Sequence, residues 1–386
     1  MSLRSQTQMI NSTHDSFMAD KKQTKYMKNS YVLIMAGGVG SRFWPISRTS
    51  KPKQFIDILG TGKTLIQHTY DRFIKILPKE NIFIVTNELY TDLVKQQLPD
   101  LADQQILCEP IMRNTAPCIA YGSSKIRNIN TNATIVVAPS DHLILDTDAF
   151  LTCIKQSLET VAEKDCLITL GIKPSRPDTG YGYIQYNTKK IDDAFFKVKT
   201  FTEKPNLEIA QTFVQSGDFL WNAGIFIWSA KAILKAFETH LPEIHDIFKE
   251  GEASYNTPQE HKFIQNAYSL CTNISIDYGI MEKADNVYVL PSEFGWSDLG
   301  TWASIYDISD KDATGNALIP SEKVMIYDSS NCMVKMPKDK LVILQGLHDY
   351  IVVEDNNTLL ICPRDQEQHV KQVVADVKHR FGTSFI

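Results

Sequence analysis

Tyr31–Phe55 reads YVLIMAGGVGSRFWPISRTSKPKQF, and the order of its residues decides what this chain can be. An apolar run, Val32–Met35, has the unbroken character of a parallel strand buried on both faces. It breaks into Ala36 and the glycines Gly37, Gly38 and Gly40, where backbone N–H groups can approach anionic oxygens without interference from a Cβ. Ser41 and Arg42 follow at once, and Lys53 comes shortly after. Arg42 offers a planar fork and Lys53 a point charge. Backbone donors followed by two cations are what a polyphosphate cradle needs.

Two commoner phosphate motifs do not fit. A dinucleotide fingerprint beginning at Gly38 and Gly40 meets Phe43 where its third glycine belongs. A P-loop built on Gly62-Lys63-Thr64 has Asp57 where its first glycine should stand, and no apolar strand leads into it. Gly60–Thr64 reads instead as a turn capping a helix that starts near Leu65.

Gly37-Gly38-Val39-Gly40-Ser41-Arg42, Pro45-Ile46-Ser47-Arg48 and Pro52-Lys53-Gln54 together resemble the opening of the sugar-nucleotide pyrophosphorylases, the nucleoside-triphosphate:sugar-1-phosphate nucleotidylyltransferases. The resemblance implies the nucleotide-diphospho-sugar transferase fold. Later motifs extend it over most of the chain.

Downstream, β-rich runs alternate with helical periodicity. Strands are expected at Ile82–Thr86, Ile106–Glu109, Thr134–Ala138 and Leu167–Gly171. The helices between them fall at Leu65–Leu77, Leu89–Gln97, Thr115–Arg127 and Ala149–Glu163. This is the βαβ pattern of an α/β, Rossmann-like, mixed but mostly parallel sheet with helices on both faces. Ligands bind such sheets at the carboxyl ends of strands, where the glycine loop, Glu109 and Pro139–His142 all fall. The region from Gly171 to Trp302 reads as loop-rich. Five short strands between Val324 and Cys362 and a helix over Gln366–Arg380 mark a small C-terminal β module, which the resemblance implies is a short left-handed β-helix. The expected organisation is an N-terminal extension over 1–28, a catalytic domain over 29–305 and a β-rich domain over 306–386.

With 386 residues and 43% hydrophobic content the chain can build a large core. A net charge of −5, well interspersed, argues against a nucleic-acid surface. No apolar run reaches membrane-spanning length, and the polar start is no secretory signal. Seven cysteines without a CxxC pair suit reduced thiols in a cytoplasmic protein.

A polyphosphate cradle implies transfer at phosphorus, which needs positioning, charge neutralisation and a hard metal. Asp141 in Pro139-Ser140-Asp141-His142 and Asp298 in Gly295-Trp296-Ser297-Asp298-Leu299-Gly300 are the candidate ligands, since magnesium takes one or two carboxylates and fills its shell with phosphate oxygens and water. Taken alone, an aspartate in such a place more often marks a turn or helix cap; the resemblance places both at metal positions. His142 has no partner at zinc spacing. Phe201-Thr202-Glu203-Lys204-Pro205 reads either as a solvated charge pair or, by the resemblance, as the sugar-1-phosphate site. There Glu203 would accept from sugar hydroxyls and Lys204 would grip the phosphate. Gly182 and Asn222 are the remaining sugar candidates, with Trp221 and Tyr183 read as core aromatics. In Ile276–Lys283, Asp277 reads as a helix cap. Lys283 reads either as part of the phosphate field or as a solvated lysine.

Glu109-Pro110, Arg113-Asn114-Thr115-Ala116-Pro117, Pro139–His142 and Ser275–Lys283 resemble the mannose-1-phosphate guanylyltransferases in particular. Guanine presents N1–H and N2–H₂ donors on one edge, which a carboxylate such as Glu109 suits. Asn114 and Thr115 at a helix start, with Ala36 and Ser140, complete the nucleotide set. The implied reaction joins GTP and mannose 1-phosphate with Mg²⁺, catalysed by Arg42, Lys53, Asp141 and Asp298. The implied assembly is a homodimer or higher homo-oligomer. No histidine and glutamate cluster of an appended isomerase domain is visible, so transferase activity alone is expected. Two other readings are a nucleotidylyltransferase for a different hexose 1-phosphate and a non-catalytic sugar-nucleotide-binding regulator.

Overall fold

The computed structural model describes residues 26–191 and 194–386. The expected extension over 1–28 therefore lies largely outside the described residues. Its last three, Tyr26–Lys28, are helical, and the Tyr26 hydroxyl donates to Glu163 Oε1 at 2.6 Å.

Ten strands precede the glycine-, tryptophan- and serine-bearing segment at Gly295: β1 (Ser30–Met35), β2 (Ile82–Asn87), β3 (Ile106–Glu109), β4 (Thr134–Pro139), β5 (Leu143–Ile144), β6 (Leu167–Ile172), β7 (Tyr183–Lys190), β8 (Phe196–Thr202), β9 (Phe219–Ser229) and β10 (Val287–Ser292). All but β5 form one sheet in the order β3-β2-β1-β4-β9-β6-β10-β8-β7. The pairings make β3, β2, β1 and β4 parallel neighbours, and only β8 and β9 run against the rest. Val32, Leu33 and Ile34 of β1 are wholly buried, because each face of this strand meets a different apolar cluster. That double burial is why the stretch reads as an unbroken apolar run.

The region from Gly171 to Trp302 is more regular than its sequence suggests. It holds the β7–β8 hairpin, the eleven-residue β9 and helices at Leu207–Ser216, Ala230–His240, Pro242–Lys249 and Glu260–Leu270. In β9, Leu220, Trp221, Ala223, Ile225, Phe226, Ile227 and Trp228 are buried. With both faces covered it lacks the alternation that identifies a half-exposed strand.

β11 (Trp296–Ser297) pairs with β5 beside the glycine loop. Beyond it lie β12 (Ala317–Ile319), β13 (Val324–Tyr327), β14 (Met333–Lys335), β15 (Val342–Gln345), β16 (Tyr350–Asp355) and β17 (Thr358–Pro363). β12, β14 and β16 stack in parallel, as do β13 and β15, while β17 returns antiparallel on β16. Parallel stacking of successive short strands is the signature of coils in a β-helix. The last helix, Val370–Phe381, starts after a 3₁₀ stretch, Arg364–His369, so it is shorter than the apolar pattern suggested. No helix among the described residues is long and apolar enough to cross a membrane.

Candidate active site

The glycine loop leaves the carboxyl end of β1 and is fixed by its own backbone. Ala36 N–H donates to Val85 O at 2.7 Å, and Ala36 O accepts from Gln54 Nε2 and Thr86 Oγ1, both at 2.9 Å. Ser47 Oγ donates to Val39 O at 2.6 Å. Gly40 has φ +69°, and a Cβ there would stand 2.5 Å from Lys53 Cβ, so only glycine lets the loop fold over the lysine. Ser41 and Arg42 sit in a short 3₁₀ turn immediately after it.

Lys53 is buried and all three of its ammonium protons have acceptors: Asp141 Oδ2 at 2.8 Å, Asp298 O at 2.8 Å and Leu299 O at 3.0 Å. The structure thus brings together four residues expected to act together, Arg42, Lys53, Asp141 and Asp298, on a cleft of about 300 Å³ that also carries Gly40 and Ser41. Burial pushes the Asp141 carboxyl up, but Lys53 and His142 outweigh it and hold the group below its usual range. The Asp298 carboxylate accepts from Tyr181 O–H at 2.9 Å and from Gly300 N–H at 2.8 Å. These donors are hard oxygens, and an ammonium already lies against them. Two carboxylates open to a cleft fit a magnesium ion that takes its remaining ligands from phosphate and water. Burial lowers the His142 pKa, and Trp296 Nε1–H donates into its Nδ1 at 3.2 Å, which occupies that nitrogen's lone pair. Among the described residues no group of three or more His, Cys, Asp or Glu is placed to hold a metal.

Glu109 ends β3 with its carboxylate facing the loop; a Cβ on Gly37 would lie 3.5 Å from Glu109 Oε2. Tyr268 O–H donates to its other oxygen at 3.0 Å. Burial raises the carboxyl to about 7 against the weaker opposing effect of that bond. Ser140 is buried at the end of β4, its N–H on Met35 O at 3.0 Å. Asn114 caps the helix Thr115–Ile129 by accepting from Thr115 N–H at 2.9 Å. Thr115 Oγ1 accepts from Ile276 N–H at 2.9 Å, which spends its hydroxyl on the neighbouring loop.

That loop carries the second half of the site. Asp277 begins a π-type turn, Asp277–Met281, without capping it. Its carboxylate points inward and accepts from Asn222 Nδ2 at 3.0 Å, so the expected cap is corrected to an inward-facing acid. A helix-start residue cannot be told from a ligand-facing one in sequence; the single-turn π geometry makes the difference. Burial, then the Glu203 charge, raises Asp277 to about 6. Asn222 Oδ1 accepts from Gly224 N–H at 3.0 Å and Thr169 Oγ1 at 3.1 Å, which fixes the amide and leaves one N–H to spare. Glu203 Oε2 lies so close over Gly182 that a side chain there would displace it. Lys204 adopts φ +47° and pairs with Glu203 Oε1, which turns two adjacent side chains toward one side of the chain. Trp221 and Tyr183 are core aromatics. Lys283 is exposed on the turn after Met281 and forms no ion pair among the described residues.

Tyr181 joins the halves. Its hydroxyl holds Asp298 while its ring packs edge-on against Trp221 at 4.9 Å and Trp296 at 5.1 Å. Tyr181, Tyr268, Gln54 and Asp277 are the site residues that sequence reading missed or misassigned. Only their distant partners distinguish them from ordinary core and cap positions.

The sequence profile for nucleotidyl transferases matches residues 31–315, and that for the MannoseP isomerase/GMP-like β-helix domain matches 321–377. The alginate biosynthesis protein AlgA of Pseudomonas aeruginosa is 36% identical over 349 residues, 89% of this chain and 71% of its own length. A mannose-1-phosphate guanylyltransferase from Salmonella montevideo is 35% identical over 354 residues, 90% and 73%. Among solved structures, one described as a mannose-1-phosphate geranyltransferase from Thermus thermophilus superposes with a TM-score of 0.82 at 28% identity, covering 91% of this chain and 99% of that one.

Proposed function

The chain belongs to the nucleotidyl transferase family, among relatives named mannose-1-phosphate guanylyltransferase, and on that premise we propose how its cleft works. It transfers GMP from GTP to mannose 1-phosphate, giving GDP-mannose and pyrophosphate. Guanine lies against Glu109, the triphosphate follows the backbone of Gly37–Ser41, and mannose 1-phosphate occupies the Gly182–Glu203–Asn222 half. Lys204 holds the sugar phosphate, with Asp277 keeping the Asn222 amide aimed.

A phosphate oxygen of mannose 1-phosphate attacks the α-phosphorus of GTP in line, the bond to the β-phosphate bridging oxygen breaks, and pyrophosphate departs. No residue of the protein becomes covalently attached, so the work is positioning and charge stabilisation. Arg42 stabilises the departing pyrophosphate. Lys53 clamps Asp141 to the Asp298 loop and lends its positive charge to the phosphates bound beside it. Asp141 and Asp298 would hold a magnesium ion, which when bound supplies neutralisation of the phosphate charges. Tyr181 keeps Asp298 in place.

The observation that carries this reading is the ion pair of buried Lys53 with cleft-facing Asp141 beside Asp298 at the glycine loop, joined through Tyr181 to the acid-and-amide half. The test is pyrophosphate release by the full chain with magnesium across a grid of nucleoside triphosphates and hexose 1-phosphates. GTP with mannose 1-phosphate is expected to give the highest kcat/KM. Higher turnover of another pair would replace the substrates, and no turnover of any pair would favour a binding protein.

A further inference from the structure

The cation set around the cleft is larger than its motifs account for. Lys371, in the first turn of the closing helix Val370–Phe381, lines the same cleft as Arg42, Asp141 and Asp298, although more than three hundred residues separate it from the glycine loop. The helix is seated there by a defined seam. Val370, Val374 and Val377, at i, i+4 and i+7, pack with Leu360 against Trp44, one residue past the 3₁₀ turn that carries Arg42. Trp44 Nε1–H also donates to Phe385 O at 2.7 Å. Gln368 stands one turn before Lys371, and its Oε1 accepts from Arg42 Nε at 3.1 Å.

Neither Arg42 nor Lys371 forms an ion pair among the described residues. Glu367, the acid beside Gln368, turns its carboxylate to Ala303 N–H at 2.8 Å. Two cations therefore face one cleft with no ion pair between them and a carboxylate: Gln368 holds Arg42 by a neutral amide, and Glu367, which feels the Arg42 charge, bonds to Ala303 instead. The Arg42 charge, then partial burial, then Lys204 lowers the Lys371 pKa, as expected where cations crowd one another.

We propose that Lys371 is a polyphosphate-binding residue, contributed by the C-terminal helix to grip, with Arg42, the end of the triphosphate that leaves as pyrophosphate. The inference rests on the reading of this cleft as a nucleotidyl transferase site. It makes the last helix part of the active site, with Gln368 as the positioning residue that aims Arg42.

The test is calorimetric binding of inorganic pyrophosphate with magnesium chloride to the full chain and to its Lys371→Ala, Lys371→Glu and Lys371→Arg variants, beside KM values for GTP and mannose 1-phosphate. Loss of one charge-assisted contact is expected to weaken pyrophosphate by roughly tenfold in Lys371→Ala, more in Lys371→Glu, with Lys371→Arg near wild type. KM for GTP should rise in parallel while KM for mannose 1-phosphate stays within about twofold. Unchanged pyrophosphate affinity in both Lys371→Ala and Lys371→Glu, or no binding to the wild type, would overturn the proposal. So would equal weakening of both substrates, which would mark a diffuse field instead of a site. Lys371-dependent pyrophosphate binding in a protein that turns over no nucleotide–sugar pair would sink the catalytic reading and leave this one standing. Because Lys371 is exposed, matching thermal melts of the variants will establish that all are folded.

Discussion

Burial lifts the Glu109 carboxyl to about 7, while guanine would present it with two N–H donors that favour the ionised form. Binding should therefore expel a proton, most strongly just below pH 7, between the bound and free pKa values, still clearly at pH 7 and hardly at all at pH 9. GDP-mannose is the ligand to use, since its diphosphate carries no proton titrating in that range. Calorimetry in two buffers of different ionisation enthalpy is expected to show release at pH 7 from wild type and none from Glu109→Gln; equal heats in both buffers would remove Glu109 from the base site. The same shift has a stability consequence. Because the folded-state pKa lies above 4.5, the contribution is complete below pH 4.5 and is lost as pH rises through 7, on the order of 3 kcal/mol. For Lys53 the expectation is kinetic: Lys53→Ala should lower kcat by roughly a hundredfold with a smaller effect on KM, and near-normal turnover would refute its role. Lys204→Ala should chiefly raise KM for mannose 1-phosphate. Lys53 and Glu109 were legible because charge beside a glycine turn, or at a strand end, has few bland explanations. Tyr268 was not, because a tyrosine in a helix shows nothing of the carboxylate it will meet from across the fold.

Elements place these residues, and their own anchoring is less visible in sequence. The helix Thr115–Ile129 is capped by Asn114 and linked through Thr115 to Ile276, and it is tied down at its far end by Lys125. The Lys125 ammonium meets both oxygens of Glu260 at 2.7 and 2.6 Å, and Tyr121 O–H and Asn256 N–H add bonds at 2.6 and 2.7 Å. Removing one member of a buried, fully bonded pair leaves the other charge unpaired in the interior. Glu260→Ala should cost about 3–5 kcal/mol, read as a lowered Tm and denaturation midpoint, while Lys125→Met with Glu260→Leu should recover much of it. A loss under 1 kcal/mol would show that the network is solvated. Nothing in the sequence paired Lys125 with Glu260, since they stand 135 residues apart. The parallel strands were legible by contrast, because burial on both faces leaves an unbroken apolar run bounded by turns. β9 shares that burial but carries an asparagine and a glycine midway, Asn222 and Gly224, which bond to each other and break the apolar run.

At the scale of the molecule the C-terminal elements pack against the glycine loop. Arg48, part of the opening motif, turns away from the cleft: its guanidinium donates to Pro45 O at 3.0 Å, Asp355 O at 3.1 Å and Thr358 Oγ1 at 3.3 Å, binding the loop to the β16–β17 hairpin. Trp44 takes the closing helix on its other side. The C-terminal strands were readable as a β module, but their use as a clamp on the glycine loop was not, since periodicity carries no information about what a module packs against. If the clamp holds Arg42 in place, loosening the helix should injure nucleotide handling before it injures the fold. Val374→Asp puts a carboxylate into the half-buried seam against Trp44, one turn beyond Lys371. The expected outcome is a severalfold higher KM for GTP, little change in KM for mannose 1-phosphate, and a main thermal transition within a few degrees of wild type. The large apolar clusters around the nine-stranded sheet do not include this seam, so they would persist. Equal loss of both substrates with a collapsed melt would mean that the helix holds the fold as a whole; unchanged kinetics would mean that Arg42 is positioned without it.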